Sequence, residues 1–365
     1  MTALRYALIG DGDSPHLAKW VRALAPRTEL WVASSRGFAA EIEALVPATR
    51  RLALHGPSAV QGGNIGLLKG LPALARWLRR ADADWLNPHY LTSHGLMAAL
   101  AQRGWALAGP QRLRARLLAS AWGSDILVTP ERHAAYRWLM RRVLGACDLG
   151  TSDSSHMARR MRELGAREVM VFPFGLDELP PPPPPKQPWL FFANRGLEPL
   201  YRPERVLACF ARIAAEQPAA RLVVANDGSL RPALERSVQA QGLAARIEFV
   251  GRLDAATQAG HYARAQWYLS QPASDAVSVS VLEALAHGCL PLLSDLPANR
   301  ELVVHGEGGL LLAGGELPAL AALEALRERA PQIAAANRAW VAQHALFPPA
   351  IERLLARLEQ FGPTR

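Results

Sequence analysis

The sequence predicts an α/β protein built from two successive doubly wound domains. Three observations carry this. At 365 residues the chain is too long for one ordinary core, and half of it is apolar, enough for two. Each half opens with an apolar strand that ends in a glycine-bearing polar turn and feeds a helix. Between the halves lie six consecutive prolines, Pro180 to Pro185, which favour an extended, semi-rigid spacer. The expected division is 1–179, a proline-rich linker 180–187, a second domain 188–347, and a terminal helical segment 348–365.

In the first half, Tyr6 to Ile9 reads as a strand and Gly10-Asp11-Gly12-Asp13 as its turn. Ser14 is placed to cap the helix that follows, with Pro15 at its first position, where a missing N–H costs nothing. This resembles a dinucleotide fingerprint only in part, because Pro15 replaces the third glycine. Leu30 to Ala33 and Leu52 to Leu54 read as the next strands. Gly62-Gly63-Asn64 opens a glycine-punctuated stretch before a helix around Leu71 to Arg79. A strand ends at Trp85 to Pro88, followed by His89-Tyr90-Leu91-Thr92-Ser93-His94-Gly95 and a helix from Leu96 to Ala101. Polar clusters at the carboxyl ends of strands are where open α/β sheets bind ligands, so His89 and His94 are candidates for ligand contact as well as for capping or core roles. Leu117 to Ala121 leads into Trp122-Gly123-Ser124-Asp125. Val169 to Phe172 is the last strand of this half.

The second half restarts with Trp189 to Phe192, ending at Ala193-Asn194-Arg195-Gly196. A helix covers Glu204 to Ala215. Strands follow at Arg221 to Ala225, Ile247 to Val250 and Trp267 to Ser270. Asn226-Asp227-Gly228 is a turn signal. Helices are expected from Pro318 onward, the last over Ala350 to Phe361.

Charge and cysteines narrow the function. Residues 1–186 carry 24 Lys and Arg against 15 Asp and Glu, whereas 187–365 carry 17 of each. The whole net charge of +9 therefore belongs to the first half, which implies an anionic partner there or simply solvated basic helix faces. Basic and apolar side chains mix in Arg112 to Arg116, Arg137 to Arg142 and Arg159 to Arg162, a composition suited to an anionic membrane surface. No recognition-helix or zinc-finger pattern is present, so nucleic acid is not an expected partner. Three scattered cysteines, Cys147, Cys209 and Cys289, fit neither a disulfide framework nor a metal site, and a reducing cytoplasm is expected. No run is long and apolar enough to span a bilayer.

The chemistry concentrates in Ser274 to Asn299. A polar turn, Ser274-Asp275, precedes the small-residue run Ala276 to Ser280. Val281 to His287 has helical spacing, with Gly288 where a terminating glycine would stand, and Cys289 to Leu293 reads as a buried strand. A Ser-rich turn feeding a helix leaves backbone N–H groups for an anion such as a diphosphate. Asp275 and Glu283 lie on one loop–helix unit and can accept hydrogen bonds from sugar hydroxyls.

This stretch resembles the acid-x7-acid signature of the retaining, nucleotide-sugar-dependent glycosyltransferases of family 4, whose fold is GT-B. Leu282-Glu283-Ala284-Leu285-Ala286-x-Gly288-x-x-Pro291 is close to that family's text, while Asp275 stands where Glu is more usual. The resemblance runs from about residue 5 to 345. It implies two Rossmann-like domains with parallel sheets facing across an interdomain cleft, and a hexosyl-type transferase that is retaining, metal-independent and without a cofactor. It assigns Asp275 to the donor sugar and Glu283 to the donor ribose, with Ser278, Val279 and Ser280 completing the donor loop. Arg195 and Arg202 correspond to a basic pair on the donor diphosphate, and Gly251-Arg252-Leu253 to the segment that reads the base. Gly10, Gly12, Asp13, His16, His89 and Asp125 fall on the acceptor side. Trp122-Gly123-Ser124-Asp125 resembles a His-Gly-x-Asp element with Trp122 in place of His, and Pro173 to Asp177 resembles the Pro-x-Gly-x-Asp that ends the first domain. The implied partners are a nucleotide sugar and a lipid-linked or saccharide acceptor for surface polysaccharide or glycolipid, at the inner face of the cytoplasmic membrane. The competing readings are a sugar-nucleotide epimerase or phosphorylase of the same fold, and a non-catalytic scaffold.

Overall fold

The computed structural model describes residues 3–54, 64–104 and 114–362. The expected glycines Gly62 and Gly63, and the start of the basic run at Arg112, lie outside the described residues. The chain divides into two compact units, one made of Met1–Phe172 with Phe347–Arg365, the other of Pro173–Leu346.

The first unit is a seven-stranded parallel sheet. Its strands are β1 (Arg5–Gly10), β2 (Glu29–Ser34), β3 (Arg51–Ala53), β4 (Trp85–Pro88), β5 (Arg116–Ser120), β6 (Leu149–Ser152) and β7 (Val169–Val171). They run in the order β3-β2-β1-β4-β5-β6-β7. The direction of winding reverses between β1 and β4, which leaves a crevice past their carboxyl ends. Gly10 ends β1 and His89 follows β4, so both stand at that crevice. Tyr6, Leu8, Ile9, Leu86 and Leu117 are wholly withdrawn from solvent, as helix-covered parallel strands require. Ser14 caps helix Pro15–Leu24, accepting the backbone N–H of His16.

The terminal helix Phe347–Glu359 belongs to this first unit. It starts three residues before the expected Ala350. Pro348 and Pro349 fall in its first turn, where absent N–H groups leave no bond unmade. Phe347 packs edge-on against Trp20 at 5.3 Å, and Arg357 grips Glu168 through Nε and Nη2 at 2.9 and 2.8 Å.

The second unit is a six-stranded parallel sheet. Its strands are β8 (Gln187–Ala193), β9 (Arg221–Ala225), β10 (Ile247–Gly251), β11 (Ala265–Ser270), β12 (Leu290–Ser294) and β13 (Leu310–Leu312), in the order β10-β9-β8-β11-β12-β13. Here the reversal falls between β8 and β11. Phe191, Phe210, Trp267, Leu290 and Leu292 form the core on one face of the sheet, and Phe192, Tyr262, Tyr268, Leu282 and Leu285 that on the other.

The break between the units lies at Phe172–Pro173, ahead of the proline run that was expected to mark it. The run is part of the second unit. The carbonyls of Pro180 and Pro181 accept from the Arg338 guanidinium, which also reaches the Ala286 carbonyl at 2.5 Å, and Pro183 lies beside Gly288. Arg338 thus supplies Pro180 and Pro181 with donors that their own segment lacks.

Gly175 shows how tight this unit is. A Cβ there would sit 1.7 Å from the Ala345 carbonyl oxygen, which accepts the Leu176 N–H at 2.8 Å. Gly175→Ala is expected to cost about 1–3 kcal/mol through this backbone clash, read as a lower midpoint in urea unfolding.

Candidate functional site

Both units place polar groups at their switch points, and they differ in kind. In the second unit, β8 delivers Asn194 and Arg195, and β11 delivers the loop 271–278 that enters helix Val279–Ala286. The helix begins two residues before the expected Val281. Ser278 is its N-cap and Gly288 adopts φ 72° just past its end, the left-handed geometry that glycine supplies without strain.

Arg195 is the centre of this group. Its Nη2 pairs with Asp275 Oδ2 at 2.8 Å, with both side chains largely buried. Its Nη1 donates to Ser278 Oγ and, at 3.2 Å, to Ser280 Oγ. The guanidinium lies over the Tyr201 ring, 4.5 Å from the centroid. Its Nε is buried with no hydrogen-bond partner among the described residues. Burial pushes the Asp275 carboxyl up, opposed by Arg195 and by the Ala276 N–H at 3.1 Å.

Glu283 stands on the same helix. Its Oε2 accepts the Tyr262 hydroxyl at 3.0 Å and Gln258 Nε2 at 3.2 Å. Tyr262 Oη in turn accepts Asn194 Nδ2 at 2.8 Å, and Asn194 Oδ1 accepts the Tyr268 hydroxyl at 2.8 Å. Burial raises both phenols, Tyr262 well above its ordinary value and Tyr268 to about 12, so both keep their protons. The structure thus brings together Arg195, Asp275, Ser278, Ser280 and Glu283, with Val279 half-buried beside them.

The other expected donor residues stand on other segments. Arg202 sits in a left-handed conformation, φ 46°, as N-cap of helix Pro203–Glu216, and lines a surface depression with Pro199, Glu204, Leu230 and Ser237. No ion pair or hydrogen bond among the described residues joins it to Arg195 or Asp275. Gly251 ends β10 at φ 71°, and its carbonyl accepts the Asn226 N–H at 2.6 Å. Arg252 is exposed and Leu253 packs on the core.

In the first unit the glycine turn is close-packed. A Cβ on Gly12 would lie 2.3 Å from the Gly37 carbonyl oxygen, and one on Gly10 would lie 2.6 Å from Leu17 Cδ1. The Gly12 N–H donates to Ser34 Oγ at 2.8 Å. Asp13 is exposed, and its N–H donates to Asp11 Oδ1 at 3.3 Å. Asp125 is buried and acts as a double cap: Oδ2 accepts the Leu91 N–H and Oδ1 the Trp122 N–H, each at 3.0 Å. Burial raises its pKa, opposed by those same bonds. Trp122 packs against His16 at 4.6 Å, His89 at 5.4 Å and Tyr90 at 6.0 Å, forming an aromatic wall.

Asn87 fixes the state of His89. Asn87 Nδ2 donates to the Leu118 carbonyl at 2.9 Å and to Ser120 Oγ at 2.8 Å, so its Oδ1 is the acceptor for Tyr6 Oη and His89 Nε2. His89 therefore carries its proton on Nε2. Burial, then His94 and His16, hold its pKa well below the ordinary 6.5. His94 Nδ1 donates to the His89 carbonyl at 2.8 Å, and its Nε2 is buried with no partner among the described residues.

Comparison with known proteins agrees with this fold. Residues 5–154 match a family model described as glycosyl transferase 4-like, and residues 188–327 match one for glycosyl transferases group 1. A phosphatidyl-myo-inositol mannosyltransferase of Mycolicibacterium smegmatis is 26% identical over 306 residues, covering 77% of this chain and 75% of that protein. HepE of Anabaena, solved in complex with UDP, superposes with a TM-score of 0.69 at 15% identity, over 98% of this chain and all of that one. The apo lipopolysaccharide outer core galactosyltransferase WaaB gives 0.67 at 14% identity, over 96% and 99% of the two chains.

Two expectations follow from the first unit. Gly12→Ala should destabilise the protein by about 1–3 kcal/mol, since backbone and not a flexible side chain blocks the new methyl, and urea midpoints would report it. His89 is held deprotonated in the folded chain, so its contribution is present above pH 6.5 and is lost as the pH falls below it. The unfolding free energy should decline as the pH drops from 7.5 to 5, and less steeply in His89→Gln. Two parallel-sheet units, each matched by a glycosyltransferase family model, identify the chain as a glycosyltransferase of the GT-B fold.

Proposed function

We propose that this protein transfers a sugar, with retention of anomeric configuration, from a nucleoside-diphosphate sugar to a hydroxyl of a lipid-linked saccharide or surface polysaccharide. The observation that carries the reading is the convergence of a guanidinium, two serine hydroxyls and a helix N-terminus where β8 and β11 end. That is the donor set a diphosphate needs.

In this reading Arg195 and the backbone N–H groups at Ser278 to Ser280 neutralise the departing diphosphate. Arg202 joins them as the second cation once the donor is bound. Asp275 fixes the guanidinium plane through its ion pair and meets the donor sugar. Glu283 accepts from the ribose hydroxyls, and Gly251 to Leu253 contact the base. The acceptor side falls to Gly10, Gly12, Asp13, His16 and His89 of the first unit, with Asp125 holding the backbone around His89 and Trp122. No side chain is assigned as nucleophile. The leaving phosphate takes the acceptor proton as the new bond forms on the same face, and positioning supplies most of the rate.

The acceptor class rests on the basic excess of the first unit and on the mannosyltransferase relative. Helix Ala134–Leu144 adds a specific feature: Trp138 is 59% exposed, with Arg142 5.2 Å from its ring and Arg141 exposed beside it. This is a face suited to anionic lipid at the inner side of a cytoplasmic membrane, at about 1 kcal/mol per basic residue near the headgroups. Other arginines are engaged elsewhere: Arg137 and Arg160 pair with Glu131, and Arg116 packs between Trp85 and Phe361. Among the described residues no helix is long and apolar enough to cross a membrane.

Four measurements test the reading. The anomeric configuration of the transfer product, followed by proton NMR from the first turnovers, should match the donor's, and an inverted product overturns the retaining assignment. Arg195→Ala should lower kcat by about 100-fold or more, the scale of losing one oxyanion-type donor, and Glu283→Ala should chiefly raise the donor KM. Activity should survive EDTA. Trp138→Ala should weaken co-sedimentation with phosphatidylglycerol vesicles and leave the weak binding to phosphatidylcholine vesicles unchanged.

A further inference from the structure

The two groups assigned above to the diphosphate and the ribose of the donor are joined through the protein. Arg195 Nη1 donates to Ser278 Oγ, which lies 2.8 Å from Ser280 Oγ. Ser280 Oγ is 2.9 Å from Tyr268 Oη, and Tyr268 Oη is 2.8 Å from Asn194 Oδ1. Asn194 Nδ2 is 2.8 Å from Tyr262 Oη, which is 3.0 Å from Glu283 Oε2. Every link is at hydrogen-bond distance.

The proton positions follow from the two ends. A guanidinium only donates, and a carboxylate only accepts. Tyr262 therefore gives its single proton toward Glu283, shared with the Ser280 carbonyl at 3.1 Å, and receives from Asn194 Nδ2. The Asn194 amide is thereby oriented with Oδ1 toward Tyr268, which spends its proton there. Tyr268 then receives from Ser280, and Ser280 from Ser278. Each donor points from the cation to the anion, so the bonds polarise one another in one sense.

We propose that Tyr262, Asn194 and Tyr268 are positioning residues that tie the diphosphate-binding Arg195 to the ribose-binding Glu283 as one pre-set unit. This rests on the donor-binding reading of Glu283 given above. None of the three touches donor in that reading. Each acts by fixing the geometry of a residue that does. The relay is invisible to spacing: Tyr262 comes from helix Ala255–Arg264, Asn194 from the end of β8 and Tyr268 from β11, and only the fold brings them together.

The test is a double-mutant cycle on donor affinity. Wild type, Glu283→Gln, Tyr262→Phe and the double variant are titrated calorimetrically with whichever of UDP, GDP or ADP binds wild type most tightly. Tyr268→Phe is run alongside as a break in the relay that leaves Glu283's own contacts in place. Melting temperatures confirm that each variant is folded. Tyr262→Phe should weaken binding about tenfold, as loss of a hydrogen bond to a charged group does, and should add little in the Glu283→Gln background. With full sugar donor, Tyr262→Phe and Tyr268→Phe should raise KM more than they lower kcat. A residue that merely supports the fold would reduce the active fraction, and so kcat, at unchanged KM. If Glu283→Gln binds as wild type does, the donor reading of Glu283 fails and the proposal with it. If Glu283→Gln weakens binding but Tyr262→Phe does not, or if the two effects add in full, the relay alone is overturned.

Discussion

A guanidinium withdrawn from water must be given acceptors, and in the second unit that requirement shapes everything near Arg195. Asp275 takes one edge, Ser278 and Ser280 the other, and the face is covered by Tyr201. Those serines sit where helix Val279–Ala286 begins, so satisfying the cation also fixes the helix entry. The same helix carries Glu283 one and a half turns on. Its far end is held by Arg338 on the Ala286 carbonyl, a cation where the helix dipole favours one. A cluster held this firmly has little to reorganise when an anion arrives, which is what electrostatic stabilisation asks of a site.

The first unit solves a different problem with similar means. Its switch point is lined by groups that hold one another: Asn87 sets Tyr6 and His89, and Asp125 sets the backbone at Leu91 and Trp122. The result is a wall of His16, His89, Tyr90 and Trp122 with one histidine held neutral. Trp122 gives that wall a large apolar face. Gly12 is needed in the turn because the Gly37 carbonyl leaves no space for a side chain.

The strands were legible because parallel strands covered on both faces must be continuously apolar, and Tyr6 to Ile9, Leu222 to Ala225 and Trp267 to Leu269 are so. The capped helix after Ser14 was legible from its cap and its proline. Arg195, Asp275, Ser278 and Glu283 stand out in the sequence because one short stretch and one strand end hold them. What sequence could not show was partnership at a distance. Tyr262 lies on helix Ala255–Arg264, which carries no strong periodic signal, and its hydroxyl meets three residues on two other segments. Strand Leu310–Leu312 is too short to stand out. The proline run reads as a spacer by composition, yet Arg338 binds it into the second unit through carbonyls that composition does not reveal.

The central claim is that the Arg195–Glu283 cluster binds a nucleoside diphosphate. The most direct test is a thermal-shift screen of wild type, Arg195→Ala and Glu283→Ala against UDP, GDP, dTDP, CMP, ADP, NAD and NADH, with and without Mg²⁺. A ligand at 100 times its dissociation constant stabilises a fold by about 2.7 kcal/mol. The account predicts that one nucleoside diphosphate raises the wild-type melting temperature independently of the metal, and that the shift shrinks in both variants. A shift seen only with NAD or NADH, or one that both variants retain in full, would contradict it.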